Sequence, residues 1–254
     1  MRVPTSSDLF RISHWILGAS PFLNVPNAWN FPDSFSEGID DEVLKRELDA
    51  LSGVLISSPL RMGRIFERVF FALFEAHSKY EVLDTGVGIF NEERQVTELD
   101  ILLRTPEGRG LHLEAAVKFY LYVEGEDGVR VVGPNGNDVL ENRLAKFDRQ
   151  LMHGQSYVKG KYPDLEFDHM IFTRGRIFQP MKGETLSHPL IHPKCEVGEW
   201  VRSSVPEELH LMVSRWEWIA WPPMYAAPFE LDSQATHGWR NVGGEVQHVI
   251  VLPD

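Results

Sequence analysis

Hydrophobic and polar residues follow two different periods along this chain. The spacing typical of helices predicts helical segments at residues 8–17, 40–52, 60–78 and 139–151. Segment 60–78 is apolar on nearly all sides, which is typical of a buried helix. Strands are predicted at about 80–90, 97–104, 111–124, 129–132, 167–173 and 245–252. This order of helix, antiparallel strands, helix and strand predicts an α/β/α core.

The remaining segments have less regular patterns. Residues 19–40 are rich in Pro, Asn, Ser and Asp and predict an ordered loop. The motif ending in Asp138 is expected to supply a helix N-cap, and a further helix is expected to begin at Val205. Trp216, Trp218 and Trp221 are expected to pack over the core. We expect a single domain over 1–254, with a core at about 55–175, an N-terminal helical segment at 1–54 and a C-terminal extension at 176–254.

The two strands 97–104 and 111–124 place charged residues on one face of the predicted sheet. Alternation puts Leu113, Ala115, Val117, Phe119 and Leu121 on one face of the second strand, and Glu114, Ala116, Lys118, Tyr120 and Tyr122 on the other. In the first strand, Leu99, Ile101 and Leu103 are expected to share a face opposite Asp100 and Glu98. An antiparallel hairpin then gathers Asp100, Glu114 and Lys118. Burying such groups is costly unless they pair or hold a cation, so this is a candidate site.

This hairpin resembles the core of the PD-(D/E)XK nuclease superfamily, which reads roughly E-x-D on one strand and E-x-K on the next. Over most of its length the chain also resembles a bacterial family of unknown function placed near that superfamily. The segments that carry this second resemblance are Ser13–Pro21, Gly63–Glu67, Thr97–Asp100, Leu113–Leu121, Gly133–Asn135 and Arg149–Leu151. The resemblance implies a restriction-endonuclease-like α/β/α fold with a mixed central sheet.

The resemblance also implies an activity, namely metal-dependent hydrolysis of phosphodiester bonds in nucleic acid, with DNA favoured over RNA. Asp100, Glu114 and Glu67 are the expected ligands of magnesium or manganese. Lys118 is the expected catalytic lysine, which assists the attacking water. Gln150 lies on the helix after the hairpin, where related nucleases place a polar residue. Many nucleases of this kind work as dimers, so a homodimer is compatible with the resemblance.

The chain departs from the motif at Ala116, where an acidic residue is expected two positions before the lysine. Glu114 lies four positions before Lys118, or about 13 Å along a strand. Glu114 could act through a water, or Glu67 or Glu98 could take the missing place. Alternatively the site is degenerate, and the protein is a catalytically inactive nuclease-fold module for nucleic-acid binding or protein interaction.

A purely structural interpretation of the charged residues also remains open. Four of them could form a buried ion-pair network that sets strand register, namely Glu67, Asp100, Glu114 and Lys118. Glu67 could simply pair with Arg64 on its own helix. Gln150 could be an exposed helix residue.

The net charge of −12 argues against a large nucleic-acid surface, because phosphate backbones are bound mainly through Lys and Arg. A local basic patch would still permit binding. Its candidates are Lys118, Arg143, Lys146, Arg149, Lys159, Lys161, Arg174 and Arg176.

Composition limits where the protein is expected to act. No apolar run approaches the length that spans a bilayer, so no membrane partner is expected. Segment 1–8 lacks the apolar stretch and cleavage site of a signal peptide. The single cysteine, Cys195, excludes an internal disulfide and predicts a cytoplasmic location. His188, His192 and Cys195 have zinc-ligand spacing, but the prolines between them and the lack of an evident fourth ligand favour a plain loop.

Overall fold

The computed structural model describes residues 2–26, 31, 33–126, 128–202, 206, 208–212, 214–219 and 235–253. Its α-helices are α1 (Ser6–Gly18), α2 (Asp41–Ser57), α3 (Met62–Glu75) and α4 (Leu140–Lys161), with 3-10 turns at Asp33–Ser36 and Arg215–Trp218. Its strands are β1 (Glu81–Asn91), β2 (Arg94–Arg104), β3 (Gly110–Gly125), β4 (Gly128–Val132), β5 (Phe167–Pro180), β6 (Glu196–Arg202), β7 (His210–Leu211), β8 (Thr236–Val242) and β9 (Glu245–Leu252).

The strands form one mixed sheet in the order β1-β2-β3-β5-β6-β9-β8-β7. Strands β3, β5, β6 and β9 run parallel to their neighbours in this set, and the outer pairs are antiparallel. Strand β5 occupies one edge of β3, so β2 and β4 must share its other edge. The strands of segment 176–254 continue the same sheet.

Helices cover both faces of the sheet, as the predicted α/β class requires. Helices α1, α2 and α3 pack on the face of β3 that carries Leu113, Val117 and Phe119. Helix α4 packs on the opposite face, where Phe147 and Leu151 join the cluster that contains Tyr120. The predicted alternation of side chains along β3 is therefore confirmed. None of the described helices is long and apolar enough to cross a membrane.

Local sequence signals account for the starts of the first helices. Thr5 and Asp8 form a reciprocal capping box at the start of α1. Asp40 accepts hydrogen bonds from the backbone N–H groups of Glu42 and Val43 at the start of α2. Helix α3 is held instead by burial of its apolar side chains, including Phe70, which is 0% exposed.

The alternation predicted for β2 is wrong at Leu99. Ile101 and Leu103 belong to the core beneath α1–α3, whereas Leu99 packs with Leu102 and Val158 on the side of α4. Strand β2 pairs with β3 only from Ile101 onward. Its preceding part pairs with β1 alone, and two-stranded ribbons twist more strongly than wider sheets, which explains the change of face.

The helix predicted from Val205 is not present in the described residues, because His210–Leu211 form strand β7. Leu211 pairs with Gly238 of β8, so a distant strand overrides the local pattern. Trp216 and Trp218 are buried in the core, as predicted. Val205 and Trp221 lie outside the described residues.

Strand β5 extends beyond the predicted segment 167–173. The prediction ended too early because two buried arginines interrupt the hydrophobic pattern of the strand. The Arg174 guanidinium donates to the carbonyl of Ile16 at 2.9 Å. Arg176 forms an ion pair with Glu196 at 2.5 Å. Both arginines are 1% exposed, so their assignment to a basic surface patch is wrong.

Helix α4 also continues beyond its predicted end at residue 151. The apolar period weakens there because Gly154 takes a position that faces the sheet. A Cβ atom at Gly154 would lie 2.3 Å from Nδ1 of His112 on β3. Glycine at this position therefore allows α4 to approach β3 closely.

We expect Gly154→Ala to destabilise the protein by about 1–3 kcal/mol, because the added methyl group must displace the buried ring of His112. Gly160→Ala on the same helix is the matched control, since nothing lies within 4 Å of its Cβ position. That change should stabilise the protein by up to about 1 kcal/mol through helix propensity. Urea unfolding measures both, and an unchanged or higher stability of Gly154→Ala would contradict the close contact.

Candidate functional site

The edge of β3 that faces β2 and β4 has a gap in its strand pairing. Strand β2 pairs with β3 up to Ile101 and Leu113. Pairing resumes only at Leu121, which lies opposite Val132 of β4. In the described part of the chain, no strand pairs with residues 114–120 along this edge. The candidate residues of β2 and β3 lie at this gap.

Asp100 and Glu114 meet where the two strands separate. The carboxylate of Asp100 accepts a hydrogen bond from the backbone N–H of Ala115 at 2.8 Å. The backbone N–H of Asp100 donates to Oε1 of Glu114 at 3.3 Å. Asp100 is 8% exposed and Glu114 is 0% exposed. The side chains thus take over hydrogen bonds that the backbone ladder no longer makes, and this brings two carboxylates together.

Two further side chains fix the orientation of the Glu114 carboxylate. Nε2 of His112 lies 2.8 Å from Oε1 of Glu114. The side-chain amide of Gln150 donates to Oε2 of Glu114 and, at 3.1 Å, to the carbonyl of Glu98. Gln150 is buried, so its interpretation as an exposed helix residue is wrong. Both oxygens of Glu114 therefore have partners.

The histidine contact extends from Glu114 toward the surface. Nδ1 of His112 lies 3.0 Å from Nδ1 of His169 on β5. Burial lowers the pKa of each of these histidines to about 4, so both are neutral at neutral pH. His112 and His169 were missed by the sequence argument, although His112 stands two residues before Glu114 and therefore on the same face.

The two carboxyl groups hold their protons more strongly than ordinary acids do. Burial raises the pKa of Glu114 to about 8. Burial, followed by the charge of Glu114, raises the pKa of Asp100 well above its ordinary value. The nearby Lys146 ammonium opposes both shifts. Perturbed acids of this kind are concentrated at functional sites.

Lys118 contacts Asp138 and not the two carboxylates. Its Nζ lies 3.1 Å from Oδ2 of Asp138, which also accepts from Arg143 at 3.3 Å. Burial and the charge of Arg143 lower the pKa of Lys118 to about 8. Asp138 does not cap α4, because the N-cap is Val139 and no side chain bonds there. The four-residue separation from Glu114 along β3 explains why Lys118 does not reach that carboxylate.

Glu67 and Glu98 are connected by a single arginine. Arg64 donates to Glu67 at 2.8 Å and to Glu98 at 2.6 Å. The predicted helix pair of Arg64 and Glu67 is therefore confirmed. Burial raises the pKa of Glu67, whose charge also contributes to the raised pKa of Asp100. These contacts differ from a four-residue ion-pair network, because neither Asp100 nor Glu114 forms an ion pair with Lys118 in the described structure.

Lys146 is the cation whose charge acts on both carboxyl groups of the pair. It lies on α4 one turn before Gln150, so both point to the same side of the helix. Its charge lowers the pKa values of Asp100 and Glu114 and also that of Lys118. The spacing from Gln150 was a usable sequence signal for this residue.

Two further groups of polar residues, the tyrosines of β3 and the histidines of the loop 188–192, make contacts within the protein. Tyr120 and Tyr122 are buried in the cluster beneath α4. The backbone N–H groups of Leu190 and Lys194 donate to the Nδ1 atoms of His188 and His192 in their loop. Among the described residues, no group of three or more His, Cys, Asp or Glu side chains is arranged to hold a metal ion.

A family model described as "Domain of unknown function (DUF1853)" matches residues 38–240. The chain belongs to the DUF1853 family. The matched range includes the strand gap, Asp100, Glu114 and the whole of α4, and it leaves out α1 and β9. No curated protein and no solved structure matches this DUF1853 protein.

We expect the stability of the DUF1853 protein to fall as pH rises from 6.5 to 7.5, below the range in which the lowered pKa of Lys118, about 8, opposes the effect. The folded-state pKa of Glu114 is raised to about 8, so in this window the folded state binds more protons than the unfolded state. The lowered pKa values of His112 and His169 affect the stability only below about pH 6.5, where these histidines are protonated in the unfolded state. One proton corresponds to at most about 1.4 kcal/mol per pH unit. Urea unfolding at several pH values measures the slope.

Glu114→Gln should reduce this slope, because it removes one of the two carboxyl groups with a raised pKa and also the charge that helps to raise the pKa of Asp100. Glu126→Gln, in the exposed turn between β3 and β4, is the control and should retain the slope of the wild type. A slope that is equal in all three proteins would show that Glu114 does not carry the effect.

Proposed function

We propose that this protein is a magnesium-dependent phosphodiesterase of the PD-(D/E)XK type, with a restriction-endonuclease-like core, that acts on nucleic acid. The observation that carries the proposal is the pair of buried, adjacent carboxyl groups of Asp100 and Glu114 at the gap between β2 and β4. Neither group has an ion-pair partner among the described Lys and Arg residues. A divalent cation would supply the missing positive charge.

The side chains at the gap fit a hard cation. Their donor atoms are carboxylate oxygens, and Mg²⁺ is typically bound through one or two carboxylates while waters and substrate phosphates complete its shell. Asp100 and Glu114 are the proposed ligands, and Glu67 lies close enough to influence Asp100. When bound, the cation would polarise the phosphoryl oxygen and lower the pKa of a water.

The protein's own residues would orient the ligands and the substrate. The Ala115 N–H holds Asp100, and Gln150 and His112 hold Glu114. Lys118 and Lys146 lie on the same side of the sheet and would attract the phosphodiester. A Lys118 pKa of about 8 leaves part of this residue neutral near neutral pH, and the neutral amine can accept a proton from a nearby water.

The inactive nuclease-fold module remains the second candidate, and a specific observation favours it. Both oxygens of Glu114 already have hydrogen-bond partners, and Lys118 forms an ion pair with Asp138. Together with Ala116 in the motif, these contacts describe a site whose charges are internally engaged. In this hypothesis the protein binds nucleic acid or a protein partner and holds no cation at the gap.

We expect Asp100→Asn to abolish cation binding and to lower nucleic-acid cleavage by about 100-fold or more, because it removes a negative ligand. Isothermal titration with Mn²⁺ and Mg²⁺ measures binding, and labelled single-stranded and duplex DNA and RNA report cleavage. Asp164→Asn, an exposed substitution after α4, is the control and should behave as the wild type.

The titration should be repeated with a phosphorothioate oligonucleotide, because a substrate phosphate can complete the cation shell. Absence of binding and cleavage in the wild type under both conditions would reject the phosphodiesterase and favour the module. Equal cleavage by wild type and Asp100→Asn would reject the assignment of the site.

We expect Lys118→Ala to lower kcat by about 100-fold while destabilising the protein by about 0.5–3 kcal/mol. Asp138 would keep Arg143 as a partner. Steady-state cleavage kinetics and urea unfolding separate the two effects. A destabilised variant with normal kcat would assign Lys118 to the ion pair alone.

A further inference from the structure

One side of α4 carries a stripe of basic residues that begins beside the candidate site. The stripe consists of Lys146, Arg149 and His153, whose spacing of three and four residues places them on one side of a helix. Lys146 and Arg149 are exposed and His153 is half-buried. Within the described residues, none of the three forms an ion pair.

The other charged residues of α4 do not neutralise this stripe. Arg143 pairs with Asp138, and Lys161 pairs with Asp84 on β1. Asp148 lies about 200° around the helix from Lys146 at roughly 100° per residue, so it points away from the stripe. Although the protein has a net charge of −12, the stripe has no acidic residue of α4 on its own side of the helix.

The stripe also has a defined direction relative to the carboxylate pair. Gln150 lies beside Lys146 and Arg149 on the helix, and its amide contacts Glu114. From Lys146 to His153 the helix rises about 10 Å at 1.5 Å per residue. That distance equals about three base-pair steps at 3.4 Å per step along the axis of a duplex. The stripe therefore leads from the site along the surface for the length of a short oligonucleotide segment.

We propose that the phosphate backbone of a nucleic acid lies along this stripe, with Lys146 and Arg149 contacting successive phosphates and His153 extending the track. This inference rests on the proposed function for the class of partner. The carboxylate pair at the start of the track favours nucleic acid over an acidic peptide. A phosphodiester is the substrate class of the proposed activity, and its oxygens could complete the shell of a cation held by these carboxylates.

Fluorescence anisotropy of the full chain with labelled 20-nucleotide single-stranded and duplex probes in EDTA tests the track without cleavage. We expect Lys146→Gln/Arg149→Gln to weaken binding by at least tenfold at low salt. The slope of log K against log salt should fall by about 1.4 for single strands and about 1.8 for duplexes, the values for two lost phosphate contacts. Urea unfolding checks that the variant remains folded.

Lys182→Gln/Lys194→Gln is the matched control, because it removes the same charge from exposed positions between β5 and β6. This control variant should retain most of the affinity of the wild type for the probes and the same slope of log K against log salt. Equal losses in the two double variants, no binding by the wild type at 50 mM salt, or equally tight binding of polyglutamate would each overturn the track.

The test also separates the track from the phosphodiesterase activity. Wild-type binding by the stripe variant, together with cleavage that requires Asp100, would overturn the track and keep the activity. Loss of binding in the stripe variant, together with no cleavage by the wild type, would keep the track and assign it to the inactive module.

Discussion

Side-chain carboxylates replace the backbone ladder at the point where β2 leaves β3, and the rest of the site depends on this exchange. Asp100 accepts the Ala115 N–H, and Glu114 accepts the Asp100 N–H. Buried backbone groups require partners, so the strands can separate here without leaving these donors unsatisfied. The same exchange opens the edge of β3 and requires both carboxylates to be buried.

The charges around this gap are distributed unevenly. Arg64 forms ion pairs with Glu67 and Glu98. Lys118 and Arg143 form ion pairs with Asp138. The carboxylate pair is left with polar contacts and the electrostatic influence of Lys146. A buried carboxylate pair without a compensating cation destabilises the folded state when it ionises. A purely structural role does not explain this loss of stability. Under the proposed function, a bound cation would compensate this cost.

The phosphodiesterase and the inactive-module hypotheses share this fold and differ in whether the carboxylate pair holds a cation. Glu114 is held by His112 and Gln150, contacts that either orient a ligand or keep it occupied. Membership of the DUF1853 family is compatible with both. The distinction therefore depends on whether Asp100 and Glu114 admit a cation, and on the phosphate contacts along α4.

The sequence by itself determined the elements whose residues follow a local period, including α1–α3, the hairpin strands and the two faces of β3. It also indicated Asp100 and Glu114, because charged residues on an apolar strand stand out locally. Only the tertiary structure decided that Lys118 contacts Asp138, that Gln150 contacts Glu114, and that Leu99 turns toward α4. Each of these depends on a partner far away in the chain or on the twist of an unsupported ribbon, which a local pattern does not encode.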